Sequence, residues 1–325
     1  MTLAAARHYS DRLGTITAAQ WQSVAARFDL GRVVGAEPIT EGLFGQIVAV
    51  VTTEGRWVFR GNPHGVTHVR KERRVAEVLA AAGIPAPWPY MVEEDISLFG
   101  WPYAVMAELP GRVVGAGEWG AMAERDRVAL SEVVGAFTQP MHAACAGPPA
   151  RFAQDLPDFE PTGGSITDMA DERLSLALAW SAMEPSTIAE EDRAWLFGIR
   201  SEVDADLRAA GSVAGFVHHD YKLNNVLVSG GIDRGFTVTG VVDLQEGYIG
   251  DRVQDLARTV NHADRASARA FVEASGGAGE RLRLYSAIDS SALWDYGRRN
   301  HVWFPEEMSF QDYARPLVDR VAAIL

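Results

Sequence analysis

HHDYKLNNVL, residues 218–227, sets two histidines, an aspartate, a lysine and two asparagines in one short run and then turns apolar. A buried strand does not carry so many polar groups. A catalytic loop that empties into a strand does. His218, Asp220 and Asn225 form H-x-D-x-x-x-x-N, and the apolar strand Val226–Val228 follows. After a turn comes FTVTGVVD, a second strand ending at Asp243. Two strands of a hairpin would bring Asn225 and Asp243 near each other. Phosphoryl transfer needs such a set: one carboxylate to accept or orient the hydroxyl proton, and an Asn with an Asp to hold Mg2+ against phosphates. Oxygen ligands suit that hard cation.

The rest of the chain narrows the class. Its 325 residues, 47% of them hydrophobic, are enough for one large domain or two lobes. Net charge is −13, and the densest basic run is Arg70-Lys71-Glu72-Arg73-Arg74, which reads as one helix face. This argues against a nucleic-acid surface. The one cysteine, Cys145, can form neither an intrachain disulfide nor a zinc cluster. The N-terminus has no apolar stretch suited to a signal peptide, and no window of 18 apolar residues suggests a membrane span. A cytoplasmic protein with no obligate protein partner is the expectation. Only Lys71 and Lys222 stand against 28 arginines. A chain that uses Arg almost everywhere draws notice to Lys222, inside the opening run.

Along the chain, 18–34 reads as a helix. Ile47–Thr53, the Glu54-Gly55 turn and Arg56–Arg60 read as a β-hairpin. Residues 67–82 form a helix with Val75, Val78, Leu79 and Ala82 on one face, capped by Gly83. The apolar strand Tyr103–Met106 runs into Pro110-Gly111, a break suited to a hinge. Helices are expected at 124–144, 168–183 and 191–210, short strands within 214–243, and helices again to the C-terminus. The expected architecture is α+β: a small β-rich lobe with one main helix over 1–108, a hinge at about 105–111, and a larger, mostly helical lobe over 109–325.

HHDYKLNNVL together with VVDLQEGYIGDRVQDLA, residues 241–257, resembles the aminoglycoside phosphotransferase family of small-molecule kinases. The likeness extends upstream through VFRGNP (58–63), VRKERRVAEVLAAAGIPAPWP (69–89) and FGWPYAVMAELPGR (99–112), covering roughly residues 38–260. It implies a two-lobed protein-kinase-like fold. It further implies an ATP-dependent, Mg2+-requiring O-phosphotransferase, with GTP as an alternative donor and a small-molecule hydroxyl as acceptor.

Carried over residue by residue, the resemblance makes Asp220 the base or hydroxyl orienter and Asn225 and Asp243 the metal ligands. Lys222 would meet the γ-phosphate. Arg60 stands where a phosphate-binding lysine is usual, with Glu72 as its helix partner. The backbone of Met106, Ala107 and Glu108 would hold adenine, and the loop 40–46, with Gly42, Phe44 and Gly45, would cover the phosphates. Arginine is always charged and grips two oxygens at once, so it can serve at position 60. That departure also leaves open a nucleotide-binding pseudokinase. The loop has two glycines rather than G-x-G-x-x-G. Asp251 and Asp255 read as architectural, Asp255 as a brace of the catalytic loop. The acceptor is expected to be an antibiotic or similar natural product, with a choline-, homoserine- or sugar-type metabolite as the alternative. Asp168, Asp171, Glu172, Glu190, Glu191 and Asp192 would suit an amine-bearing, cationic acceptor, although a solvated helix face is the better reading of them.

Overall fold

The computed structural model describes residues 14–39, 46–61, 66–152, 158–179 and 186–325. Its fold is α+β, and the chain divides into two compact units.

The first unit runs to Pro110 and also takes in Asp158 and Gly240–Gln245. It begins with α1 (Ala18–Arg27), whose start is set by a capping box: Gln20 N–H donates to Thr17 Oγ1, and Thr17 N–H donates to Gln20 Oε1. Then come β1 (Val33–Pro38), β2 (Gln46–Thr52), β3 (Gly55–Gly61), α2 (Val66–Ala81), β4 (Tyr90–Glu93) and β5 (Tyr103–Ala107). The five strands form one antiparallel sheet in the order β1-β2-β3-β5-β4. Strict alternation in β2 buries Gln46, Val48, Val50 and Thr52 on one side, as a half-buried strand requires. Phe59 is fully buried, edge-on to Trp21 at 4.9 Å and tilted against Tyr103 at 5.4 Å. Burying such a side chain contributes about 1.5–3 kcal/mol. The buried stripe of α2 is Val69, Glu72, Val75, Ala76 and Leu79. A carboxylate therefore stands within an apolar stripe, while Val78 and Ala82 lie outside it.

The second unit contains α3 (Ala116–Ala121), α4 (Glu124–Ala143), β6 (Ala150–Phe152), β7 (Phe159–Pro161), α5 (Ile166–Ala179), α6 (Glu190–Glu202) and α7 (Asp204–Ala209). It continues with β8 (Gly215–Val217), β9 (Val226–Gly231), β10 (Gly235–Val241, whose last two residues count with the first unit), β11 (Tyr248–Gly250), α8 (Gln254–His262), α9 (Arg265–Ala274), α10 (Arg281–Arg299) and α11 (Phe310–Ala322). The expected helix 191–210 is two helices, α6 and α7, broken at Val203. Strands β7-β6-β11-β8 form an antiparallel sheet, and β9 and β10 a two-stranded one. Helices α4 and α9 approach closely because Gly135 has no side chain: a Cβ there would lie 2.4 Å from the Phe271 carbonyl oxygen. Among the described residues no helix is long and apolar enough to cross a membrane.

The first unit differs from a cut at residue 108, because Gly240–Gln245, with Asp243, belongs to it. Long-range polar contacts are the reason. Val241 N–H donates to the Pro85 carbonyl at 2.9 Å, and Leu244 N–H donates to Glu72 Oε1 at 3.3 Å.

Candidate functional site

In the first unit the predicted residues gather around Arg60, on β3. Its Nη1 donates to Glu72 Oε1 at 2.5 Å and its Nη2 to Asp243 Oδ1 at 2.9 Å, with Gln245 Oε1 at 3.4 Å. Glu72 Oε2 accepts from the Tyr90 hydroxyl at 2.7 Å. The side chains of Arg60 and Glu72 are 9% and 1% exposed, so this is a buried pair. Burial works against the charge on Arg60, but Glu72 and Asp243 outweigh it and hold the guanidinium protonated. Glu77, five residues on from Glu72, instead receives Arg74 at 3.0 Å. Asp243 has φ +63, a left-handed conformation that costs a non-glycine residue about 1–3 kcal/mol. It is held there by Arg60 on its own carboxylate and by the bond from Leu244 N–H to Glu72.

On β5, the Ala107 amide donates to the Pro89 carbonyl at 3.1 Å, and Glu108 accepts two bonds from Arg56. The Ala107 N–H is thus engaged within the sheet, which narrows the backbone donors expected there. Gly42, Phe44 and Gly45 lie outside the described residues.

In the second unit β8 hands the chain to the loop at His218. Asp255, from α8, accepts the backbone N–H of His218 at 2.8 Å and of His219 at 2.6 Å, and meets His142 Nε2 at 3.1 Å. These bonds hold His219 at φ +70 and aim the next residue, Asp220. Asp251 accepts from Val253 N–H, Arg281 and Tyr285. It is a structural group. A short 3-10 turn, Leu223–Asn225, then leads into β9.

Asp220 is heavily bonded. Lys222 Nζ donates to Oδ2 at 2.7 Å and to Oδ1 at 3.0 Å, and Asn225 Nδ2 donates to Oδ2 and to the Asp220 carbonyl, both at 2.8 Å. Arg258 Nη1 donates to Oδ1 at 2.5 Å. Burial would raise this carboxyl, but Arg258 and Lys222 outweigh it and hold it below the usual carboxylate range. Asp220 is therefore an anion at any pH near neutrality. Both Asn225 bonds use Nδ2, which leaves its amide oxygen for a cation, while Asp243 keeps Oδ2 beyond its Arg60 contact. Among the described residues no group of three or more His, Cys, Asp or Glu could hold a metal. A divalent ion of the Mg2+ type takes oxygen ligands and needs only one or two protein carboxylates beside phosphate and water, so each of these two groups, taken by itself, is of the kind such an ion binds.

The sequence reading missed Arg258 and its second partner Asp289, at 2.7 Å from Nε, and also Tyr90 and Gln245. Arg258 had a signal: it lies three residues after Asp255 on one helix, hence on the same face. The acidic residues of α5 and α6 are mostly occupied. Asp168 caps Ser165, Asp171 pairs with Arg200, Glu172 with Arg151, and buried Asp192 accepts from Phe310 N–H. They give no argument for a cationic acceptor.

A family model described as the phosphotransferase enzyme family (APH) matches residues 35–289. The chain belongs to that family. By class it is thus a phosphotransferase, as the resemblance implied. Among solved structures it is similar to the aminoglycoside phosphotransferase APH(4)-Ia, at 18% identity and TM-score 0.61, covering 95% of this chain and 98% of that one. A thermostable mutant of that enzyme, in ternary complex with ADP and hygromycin B, matches with the same figures. The GDP and kanamycin complex of APH(2″)-IIIa is 14% identical, with TM-score 0.62, over 94% of this chain and 99% of that one. At such identities the likeness establishes the kinase-like fold. No curated protein matches the chain.

Proposed function

We propose that the chain transfers the γ-phosphoryl group of Mg2+-bound ATP to a hydroxyl of a small molecule, with Asp220 aligning that hydroxyl. The observation that carries this reading is the bonding of Asp220. One anionic carboxylate is oriented by Asn225 and Arg258, and the cation of Lys222 stands two residues away. A carboxylate held as an anion accepts a hydroxyl proton bond and directs the oxygen for in-line attack. Lys222 is a compact charge on a flexible stem, 34% exposed against 16% for Asp220, and can turn from the carboxylate to a phosphate oxygen.

Asn225 and Asp243 are the proposed oxygen ligands of Mg2+, whose chemistry is to neutralise charge on the transferring phosphates. Arg60, kept in place by Glu72, is assigned to the α- and β-phosphates. The backbone near Met106 and Glu108 is assigned to adenine, with GTP as the alternative donor. Gly42, Phe44 and Gly45 complete the proposal as a phosphate cover. The small β-rich segment to residue 108 is assigned to nucleotide binding, and residues 109–325 to catalysis and acceptor binding. The nearest acceptor class to test is the hydroxyl-rich aminoglycosides, since kanamycin and hygromycin B are bound by structural neighbours.

The test is ADP release from Mg2+–ATP against a panel of aminoglycosides, macrolides, choline, homoserine and sugars. Asp220→Asn is expected to lower turnover about 10²- to 10⁴-fold while ATP still binds by calorimetry. Wild-type turnover in Asp220→Asn would overturn the reading. ATP binding without turnover on any acceptor would mark a pseudokinase.

A further inference from the structure

We propose that Arg258 is a positioning residue that fixes the carboxylate of Asp220, with Asp289 as its anchor. The inference rests on the assignment of Asp220 above and adds a partner that the motif residues do not include. Arg258 uses two different nitrogens on two different elements. Nη1 donates to Asp220 Oδ1 at 2.5 Å and Nε donates to Asp289 Oδ1 at 2.7 Å. A planar guanidinium bonded at both positions cannot rotate without losing one of them. Asp289, on α10, is itself held, because its Oδ2 accepts from Asn261 Nδ2 at 3.0 Å. Asn261 donates also to the Ser286 carbonyl at 3.1 Å and accepts from the Ser286 hydroxyl at 2.5 Å. A chain of bonds thus runs Ser286–Asn261–Asp289–Arg258–Asp220, every member less than a quarter exposed or buried outright.

The two cations on Asp220 differ in kind. Lys222 is local, flexible and about one-third exposed, whereas Arg258 is brought from α8 and tied at its far side. When Lys222 turns to a phosphate, Asp220 keeps its Oδ1 bond to Arg258 and its Oδ2 bond to Asn225. The carboxylate then keeps its rotamer with one lone pair on each oxygen open to an acceptor hydroxyl. Arg258 makes no contact with a reacting atom in this scheme and acts through Asp220.

The experiment is a double-mutant cycle on the full chain, with turnover read as ADP release from Mg2+–ATP with water as the acceptor. Arg258→Met is expected to lower kcat roughly 10- to 100-fold with KM for ATP changed less than about twofold, as a misaligned reacting group does. Arg258→Lys, which keeps the charge but cannot bridge, should recover part of kcat and gives a folded alternative should the Met variant not fold. Asp289→Asn should lower kcat less, and should have no further effect once Arg258 is Met. Arg258→Met should likewise add nothing in the Asp220→Asn background. If Arg258→Met costs the same factor with Asp220 or Asn at position 220, or Asp289→Asn and Arg258→Met simply multiply, the positioning inference is overturned. If Asp220→Asn itself keeps wild-type turnover, it is the assignment of Asp220 that fails.

Discussion

Replacing Arg60 by Met strips a buried carboxylate of its main partner while keeping most of the side-chain volume. In the wild type Glu72 receives three donors: Arg60 Nη1 at 2.5 Å, the Tyr90 hydroxyl at 2.7 Å and Leu244 N–H at 3.3 Å. Removing one member of a buried ion pair costs about 3–5 kcal/mol, because the other charge stays behind without compensation. Two neutral donors remain on Glu72, so the lower end, about 3 kcal/mol, is expected. At roughly 2–4 °C per kcal/mol this lowers the melting temperature by roughly 6–12 °C.

The loss should depend on pH, and its sign is determined. Burial already pushes the Glu72 carboxyl above its usual value of 4.5, and Arg60 is the strongest influence opposing that rise. Without Arg60 the folded-state pKa rises further, while the unfolded value is unchanged. Such a group contributes fully below its unfolded pKa and loses its contribution as pH rises through the folded one. The variant should therefore fall further behind the wild type at about pH 8 than at about pH 5. Glu72→Gln should cost less than Arg60→Met, since Arg60 would keep Asp243 at 2.9 Å and Gln245 at 3.4 Å. The assay is thermal melting of all three proteins at both pH values. A loss below about 1 kcal/mol for Arg60→Met, or an equal loss at both pH values, would refute the buried-pair reasoning.

Asp255→Ala removes the acceptor of two backbone N–H groups, at 2.8 and 2.6 Å, and of the His142 contact. With about 1–3 kcal/mol for each buried group left unsatisfied, a loss of about 3 kcal/mol is expected in denaturant melts, together with a fall in turnover. Asp255→Asn, which keeps one oxygen, should lose less on both counts. Gly135→Ala forces a Cβ to within 2.4 Å of the Phe271 carbonyl, so it should destabilise by about 1–3 kcal/mol despite the better helix propensity of alanine. A stabilised Gly135→Ala in calorimetry would show that α4 and α9 do not pack as described. Chelation with EDTA should abolish ADP release, and excess Mg2+ should restore it. Turnover that survives exhaustive chelation would exclude Asn225 and Asp243 as ligands of an essential ion.

Much was legible in the letters because it is local. H-x-D-x-x-x-x-N, the β2–β3 hairpin (its turn at Thr53-Glu54, one residue before the expected Glu54-Gly55), the helix at 124–144 and the Gly83 cap each depend on residues close in sequence. Strand and helix periods report them directly. Short strands such as β6, β7 and β11 were not legible. Each has three residues, and pairing with a neighbouring strand rather than its own pattern makes it a strand. Glu72 and Glu77 illustrate the limit within one helix. Both are glutamates on α2, and only packing decides that the first is buried against Arg60 while the second meets Arg74.

By itself, then, the sequence determined the kinase-like class and the identity of the loop residues 218–225, since those follow from motif, period and turn chemistry. Only the tertiary structure decided that Gly240–Gln245 joins the first unit and that Arg258, tied to Asp289, stands at Asp220. The physical reason is that a partly buried charge must find a counter-charge wherever the fold supplies one. Asp220 meets Arg258 across 38 residues and Arg60 meets Asp243 across 183, separations over which no periodicity carries information.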